Sequence, residues 1–194
     1  MILRFAQALA LVAVLLGGMP TARGSDVIEV ASVRIEPSAE GDAWLLSADF
    51  VVPLPARLED AVQRGVALYF VAEFELVRPR WYWWDERALR AAQTYRLSYH
   101  PLTSQYRLAI GAYQLQFQSI DEALRSMSLI RGWRVMELEQ LKPGAAYEAQ
   151  LRLRLDTSQL PKPFQITALT NRDWTLQTEW KRFPFIAQTP KKAQ

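Results

Sequence analysis

The sequence predicts a mainly β protein, an antiparallel immunoglobulin-like β-sandwich with two short helices. Two observations predict this fold class. First, most of the chain alternates apolar and polar residues with a period of two, which is typical of strands that bury one face. Second, short turns rather than long amphipathic helices separate the alternating segments, so the βαβ repetition of a doubly wound fold is absent.

Each strand is predicted from its own alternation. The strongest pattern lies at 66–77, where aromatic and aliphatic residues occupy one face and the other includes Glu73 and Glu75. Within 106–117 the phase shifts at residues 111–112, which predicts a β-bulge. The nine strand segments predicted in this way are 27–35, 43–52, 66–77, 95–99, 106–117, 133–138, 147–155, 164–169 and 174–180.

Two segments have helical spacing instead. Residues 56–64 lie between a proline that suits a first turn and a glycine that suits the position after a helix end. Residues 120–131 follow a capping box in which Ser119 is the N-cap and Glu122 reaches back to the backbone. Gly132 is expected to end this second helix.

Residues 1–24 are predicted to be a secretory signal peptide that is cleaved after Gly24. Arg4 supplies the positive start, and the apolar run that follows is shorter than the ~20 residues of a membrane span. We therefore expect a periplasmic protein with no stable membrane insertion after cleavage. The mature chain is expected to be a single domain, 25–187, with a disordered basic tail, 188–194.

Charge is close to balance once the signal peptide is removed. The chain has 23 Lys and Arg against 20 Asp and Glu, and two of the arginines lie in residues 1–24, which leaves a net charge of +1. Nucleic-acid-binding proteins carry a clustered basic excess, so this near-neutrality predicts no nucleic-acid partner. Residues 25–75 have ten acids and three bases, and residues 76–194 have ten acids and 18 bases. Either the two parts interleave as complementary strands of one sheet, which we favour, or they form two separate interaction faces.

The residue types of most catalytic and metal sites are missing from this sequence. It has no cysteine, which excludes thiol nucleophiles, thiolate zinc sites and lipid attachment through an N-terminal cysteine. Its one histidine, His100, lies in a loop before a proline. No calcium-binding loop and no glycine-rich phosphate loop occurs. We therefore predict no catalytic residue, no metal and no cofactor.

A carboxylate pair is the feature that would favour an enzyme. Glu73 and Glu75 are two residues apart on one strand, about 6–7 Å from each other on one face, a separation that suits glycoside hydrolysis. Catalytic pairs usually face each other from different elements, whereas outward-facing acids on a strand ordinarily pair with arginines of neighbouring strands. We favour the second interpretation and predict that the protein is not an enzyme.

The most unusual feature is a run of four aromatic residues, Trp81-Tyr82-Trp83-Trp84, before a turn expected at 85–86. On a strand, alternate members project to opposite faces, so one pair is expected in the core and the other on the outer face. We favour the interpretation that the two helices cover the outer pair and arginines pack over what remains. The alternative is that exposed rings beside arginines form a contact surface for a protein, a peptide or a glycan. The candidate binding residues are Arg78, Arg80, Trp81, Tyr82, Trp83, Trp84 and Arg87.

Several motifs together resemble the bacterial family of domain of unknown function 4390. They are Gly65-Val66 at the start of a strand, Arg78-Pro79-Arg80-Trp81-Tyr82-Trp83-Trp84-Asp85, the Ser119-capped helix followed by Trp133, and Leu155-Asp156 with Leu160-Pro161-Lys162-Pro163. The resemblance spans nearly the whole mature chain. It implies an exported proteobacterial protein without an assigned activity, encoded near membrane-bound sensor kinases, and it carries over no catalytic residue.

The sequence thus favours a non-enzymatic binding module that contacts another envelope protein, with the link to a membrane sensor kinase implied by the resemblance alone. Two alternatives stay open. One is a β-sandwich that binds a small molecule or a glycan, and the other is a hydrolase that uses carboxylates or His100. The sequence defines neither the partner nor the oligomeric state.

Overall fold

A computed structural model describes residues 27–78 and 86–187, with the side chains of 86, 87 and 172 left undefined. The described residues form nine strands in two antiparallel sheets, so the prediction of a mainly β, antiparallel protein is confirmed. The strands are β1 (Glu29–Pro37), β2 (Ala43–Val51), β3 (Leu68–Arg78), β4 (Glu86–His100), β5 (Gln105–Ile110), β6 (Tyr113–Phe117), β7 (Leu129–Glu137), β8 (Ala146–Leu155) and β9 (Lys181–Ile186).

The smaller sheet has the strand order β1-β2-β7, and the larger sheet has the order β6-β5-β4-β3-β8-β9. Strands β3 to β6 follow one another as antiparallel neighbours, and β8 pairs with the other side of β3. This places β3 in the middle of the larger sheet. Strands β4 and β8 flank β3, and arginines of both contact Glu73, so most of β3 is buried, including residues 73 and 75 on its polar face.

The two sheets share one hydrophobic core. Phe70 and Phe74 of β3 are fully buried on the inward face, and Leu151 lies opposite Phe74 on β8. Trp44 of β2 meets Phe185 of β9 edge to face, with ring centroids 5.1 Å apart. Burying one such large side chain stabilises the fold by about 1.5–3 kcal/mol. The inward-facing residues of the strands therefore form the core, and the alternate residues form the outer face of the sheet.

The described residues contain three α-helices rather than the two predicted: α1 (Ala56–Gln63), α2 (Ile120–Ser128) and α3 (Lys162–Thr170). Helix α1 lies where it is predicted. The capping box of α2 is also confirmed, because Ser119 Oγ accepts a hydrogen bond from the backbone N–H of Glu122 at 3.2 Å. The Glu122 carboxylate reaches one residue further back and accepts from the N–H of Gln118 at 3.2 Å.

The predicted end of α2 is wrong. The helix ends at Ser128 because β7 begins at Leu129 and pairs with β2. Gly132 lies inside β7, with a φ of +60°, where Ser47 of β2 faces two residues instead of one. The glycine therefore allows a β-bulge rather than a helix end.

The prediction is also wrong for the segment after β8. Residues 164–169, predicted as a strand, belong to α3, because Pro163 in the first turn costs no hydrogen bond there. Residues 174–180, also predicted as a strand, begin at the end of a 3-10 turn, Arg172–Trp174, and otherwise form an isolated bridge between Gln177 and Arg154. The last strand, β9, begins after them.

Two boundaries in the larger sheet also differ from prediction. The phase shift at 111–112 is a two-residue turn that joins β5 to β6, with Ile110 opposite Tyr113, and not a bulge. Gly111 has a φ of +57°, as tight hairpin turns require. Strand β4 begins at Glu86, where a turn is predicted, and so starts well before the predicted position 95.

The predicted signal peptide (1–24) and the predicted tail (188–194) lie outside the described residues. Among the residues that are described, no helix is both long enough and apolar enough to cross a membrane.

Candidate functional site

The outer face of the larger sheet points away from the core and is rich in arginine. The strand registers place alternate residues of the sheet on this side, opposite the buried apolar set. We call this surface the arginine face. Its charged members are Arg90, Arg96, Arg107, Arg152, Arg154, Arg182, Glu73, Glu75 and Glu148. Arginines outnumber glutamates, so the face carries an excess of positive charge.

Glu73 lies at the centre of one half of this face. Its side chain is only 2% exposed, and three guanidinium groups converge on it. Arg90 and Arg154 donate to Oε1 at 3.0 and 3.2 Å, and Arg152 donates to Oε2. The register explains the cluster, because Arg152 lies directly opposite Glu73 on β8 and the other two arginines are diagonal neighbours. The interpretation of Glu73 as a strand acid paired with arginines is confirmed.

These contacts determine the protonation state of Glu73. Burial by itself would raise the pKa of Glu73, but hydrogen bonds from Arg154 and Arg152, together with their positive charges, lower it below its ordinary value. The carboxylate is therefore ionised at neutral pH, and both of its oxygens accept hydrogen bonds from arginines. Such a group fixes cations in place and has no proton to donate as a general acid.

All three arginines have a further partner, and that of Arg90 is Glu75, whose Oε1 lies 3.6 Å from Arg90 Nε. The guanidinium of Arg152 lies over the ring of Trp180, 4.4 Å from its centroid. Arg154 Nη1 lies 3.3 Å from Asp156 Oδ1. Burial would raise the pKa of Asp156, but hydrogen bonds from Ser158 and the charge of Arg154 lower it. This half of the arginine face is thus internally compensated.

The region around Arg96 of β4 and Arg107 of β5 is not compensated in this way. Arg96 lies opposite Ala109 and Arg107 lies opposite Ser98, so the two arginines are diagonal neighbours. Within residues 27–78 and 86–187, no carboxylate lies within ion-pair distance of either one. The Nε of Arg107 is buried and has no hydrogen-bond partner there. Two adjacent cations with unused donors attract an anionic group.

The predicted binding residues are only partly described. Arg78 ends β3, is half-buried, and donates from Nη2 to the Tyr147 hydroxyl at 3.2 Å. Its guanidinium also lies 5.4 Å from the Tyr147 ring centroid. Arg87 lies in β4 opposite Val77, and its side chain is not described. The segment 79–85, with Arg80 and the four aromatic residues, joins β3 to β4 and lies outside the described residues.

The residues considered for enzymatic chemistry, His100 and Glu75, have different surroundings. His100 ends β4, and its Nδ1 lies 3.2 Å from the hydroxyl of Thr103 in the following turn. Glu75 lies beside Glu73, with its Oε1 3.6 Å from Arg90 Nε. Among the described residues, no three His, Cys, Asp or Glu side chains are grouped so that they could hold a metal ion.

A second surface feature lies at α3. A shallow groove of about 410 Å³ runs between this helix and the short 3-10 turn Thr157–Gln159. Its lining is mainly apolar and includes Ile166 and Leu169, which are 68% and 87% exposed. The sequence prediction missed this groove because it assigned residues 164–169 to a strand. Ile166 and Leu169 would then project to opposite faces of a sheet instead of lining one groove.

The sequence prediction also missed Arg96 and Arg107 as candidate binding residues. Each sits between apolar residues of an alternating strand, which is the signal that it faces outward. Their neighbourhood depends on how β4 and β5 align, and a single sequence does not fix that alignment.

The fold and the site define an antiparallel β protein with one open, arginine-rich sheet face. The chain belongs to the family described as Domain of unknown function (DUF4390), whose model matches residues 25–184, so the resemblance found in the sequence is confirmed. No curated protein and no solved structure matches the chain.

Proposed function

We propose that this chain is an exported, non-enzymatic binding protein that contacts another protein of the bacterial envelope through the arginine face. The observation that carries the proposal is the adjacent pair Arg96 and Arg107, which has no acidic partner among the described residues. A flat sheet face with unbalanced cations suits an acidic protein surface. Charge complementarity of this kind speeds association and selects partners.

The compensated half supports the same proposal by a different route. Arg90, Arg152 and Arg154 are held by the buried Glu73, so their orientation is fixed before any partner arrives. Fixed donors lose less side-chain entropy on binding than free ones. The arginines bound to Glu73 thus form a region of fixed side chains on the same face as Arg96 and Arg107.

The state of the carboxylates supports a binding role over hydrolysis. A hydrolase would use a carboxyl group with a raised pKa as its general acid, whereas the pKa of Glu73 is lowered by its arginines. We therefore expect Glu75→Gln and His100→Ala variants to keep full biological function. Loss of function in either variant would instead support the enzyme alternative.

Location and partner follow from the sequence prediction. The predicted signal peptide supports export to the periplasm, and the family resemblance favours a membrane sensor kinase as the first partner to test. The two sheets with one shared core favour the predicted immunoglobulin-like arrangement. The aromatic segment 81–84 stays a predicted second contact region, next to the end of β3. A Trp83→Ala variant that folds normally but captures less partner would support it.

Affinity capture from detergent-solubilised envelope of the host tests the proposal. The full-length coding sequence is expressed with a tag, and the recovered proteins of wild type, Arg96→Glu and Arg125→Glu are compared. Arg125 is a matched control, because it is an exposed arginine on α2, away from the arginine face. We expect one envelope protein to be enriched by wild type and Arg125→Glu, and to be lost with Arg96→Glu or at about 1 M salt, where the Debye length is only ~3 Å. Equal recovery with all three proteins would contradict the proposal.

The groove at α3 favours a second candidate function, the binding of a small apolar molecule. Ile166 and Leu169 would supply the apolar contacts. A ligand that binds only the folded protein raises its melting temperature as its concentration increases. Under this alternative, Leu169→Ser removes the shift produced by a fatty acid or similar probe, whereas Arg96→Glu leaves it unchanged.

A further inference from the structure

Three of the four sheet edges in the described residues carry features that block further strand pairing. Strand β9 contains Lys181 and Pro184. Strand β1 ends in Pro37 and has a register shift after Val30. Strand β7 carries charged residues and the bulge at Gly132. Charges, prolines and bulges are the devices by which β proteins avoid joining through their edges.

The fourth edge, β6, carries none of these devices. It pairs with β5 on one side and forms the edge of the larger sheet on the other. No charged residue and no proline occurs between Leu108 and Ile120. Tyr113 and Leu115 of β6 are 80% and 44% exposed. An uncharged edge strand with exposed apolar side chains presents its backbone to another strand.

We infer that β6 pairs with β6 of a second copy of this chain, in antiparallel register about a two-fold axis at Leu115. The strand reads Tyr-Gln-Leu-Gln-Phe, which is aromatic, glutamine, leucine, glutamine, aromatic in both directions. Centred antiparallel pairing places Leu115 opposite its own copy, Tyr113 opposite Phe117, and Gln114 opposite Gln116. Every residue of the strand thus meets a residue of its own kind.

The pairing also matches the two faces of the sheet. Tyr113, Leu115 and Phe117 lie opposite Ile110, Leu108 and Tyr106 of β5, respectively, on the core side of the sheet. A two-fold axis perpendicular to the sheet keeps this side together in both copies. The exposed apolar residues of β6 would then become a buried stripe that continues the core, while both glutamines stay on the other face.

A second copy fits this edge better than an unrelated peptide does. Any extended peptide can use the free backbone groups, but only a strand with the same alternation fills the apolar positions on one side and the amide positions on the other. Because β6 has no charge, no like charges meet across the strand pair itself. The resulting sheet would have twelve strands and would place the arginine faces of the two copies side by side. The inference is independent of the proposed function.

Analytical ultracentrifugation of the protein expressed from the full-length coding sequence tests the dimer. A five-residue strand pair buries less than the ~1,200 Å² of standard interfaces, so we expect a dimer that dissociates on dilution. Leu115→Lys places two lysines at the axis and should give a monomer at every concentration. The matched control is Ile186→Lys, on the opposite edge strand, where the side chain is 56% exposed. This control should dimerise like wild type.

A cysteine substitution tests the register. The chain has no cysteine, so Leu115→Cys introduces a single thiol, which a short bis-maleimide can join only to its copy. We expect rapid cross-linking of Leu115→Cys and at least tenfold slower cross-linking of Ile186→Cys. A wild-type protein that stays monomeric up to about 100 µM would overturn the inference. A dimer that Leu115→Lys leaves intact would overturn it as well, as would β6 engaging a different protein instead.

Discussion

The two halves of the arginine face use the same residue type in different ways. In the half formed by β3 and β8, Arg152 and Arg154 hold the buried carboxylate of Glu73. In the half formed by β4 and β5, Arg96 and Arg107 are neighbours without an acidic partner among the described residues. The cross-strand neighbours of an arginine therefore determine its role. An arginine beside a buried carboxylate is structural, whereas one without an acidic neighbour is available for binding.

The largest effect is expected from Glu73→Gln, which removes the charge that balances three arginines. The arginines left behind are partly exposed, with side chains 27–50% accessible, so water screens part of their charge, and we expect a loss of about 2–3 kcal/mol in the free energy of unfolding, measured by urea denaturation. Glu148→Gln is the control, because Glu148 lies on the same face but is 38% exposed and its Oε1 is 3.9 Å from Arg182 Nε. Equal losses in the two variants would show that the cluster has no special role.

Acid should weaken the compensated half in a defined pH range. The pKa of Glu73 is lowered in the folded protein, so its contribution is complete above the ordinary pKa of about 4.5 and is lost as the pH falls toward the folded value. We expect the stability difference between wild type and Glu73→Gln to be constant from pH 7 to about 5 and to shrink below 4.5, as measured by urea denaturation at each pH. A difference that grows as the pH falls would contradict the direction of the pKa shift.

A smaller effect is expected from Arg152→Lys. Lysine keeps the charge near Glu73 but loses the planar stack on Trp180, 4.4 Å away, and the fixed guanidinium geometry. We expect a loss of about 1 kcal/mol in unfolding free energy. A double-mutant cycle with Trp180→Leu separates the stack from the ion pair, since a coupling energy near zero would show that the ring contributes nothing to Arg152.

The smallest effect on stability is expected in the uncompensated half. Arg96→Gln removes a cation that is diagonal to Arg107 and has no described acidic partner, so the unfolding free energy should change by less than about 0.5 kcal/mol. Any gain at low salt should disappear at high salt, because it comes from relief of like-charge repulsion. A loss above 1 kcal/mol would mean that Arg96 is structural and would remove the contrast between the two halves.

Local sequence signals predicted the parts of the fold that depend on local interactions. The alternation in β3 and β8 and the Ser119 cap of α2 are examples, because side-chain period and capping chemistry act within a few residues. Residues 164–169 were mispredicted because Ile166 and Thr167 favour a strand, whereas Pro163 suits a first helical turn. The sequence predicted that Glu73 pairs with arginines of neighbouring strands, but it did not identify those arginines. Which arginines meet depends on register, which only the folded sheet determines.

Site-specific photo-cross-linking in living cells tests the central claim most directly. A photoreactive residue replaces Thr94, an exposed neighbour of Arg96 on the arginine face, or Gln63, an exposed residue of α1. The account predicts one discrete adduct with another envelope protein from position 94, lost when Arg96→Glu is added, and no such adduct from position 63. The absence of an adduct at 94, or an adduct that Arg96→Glu leaves unchanged, would contradict binding through the arginine face.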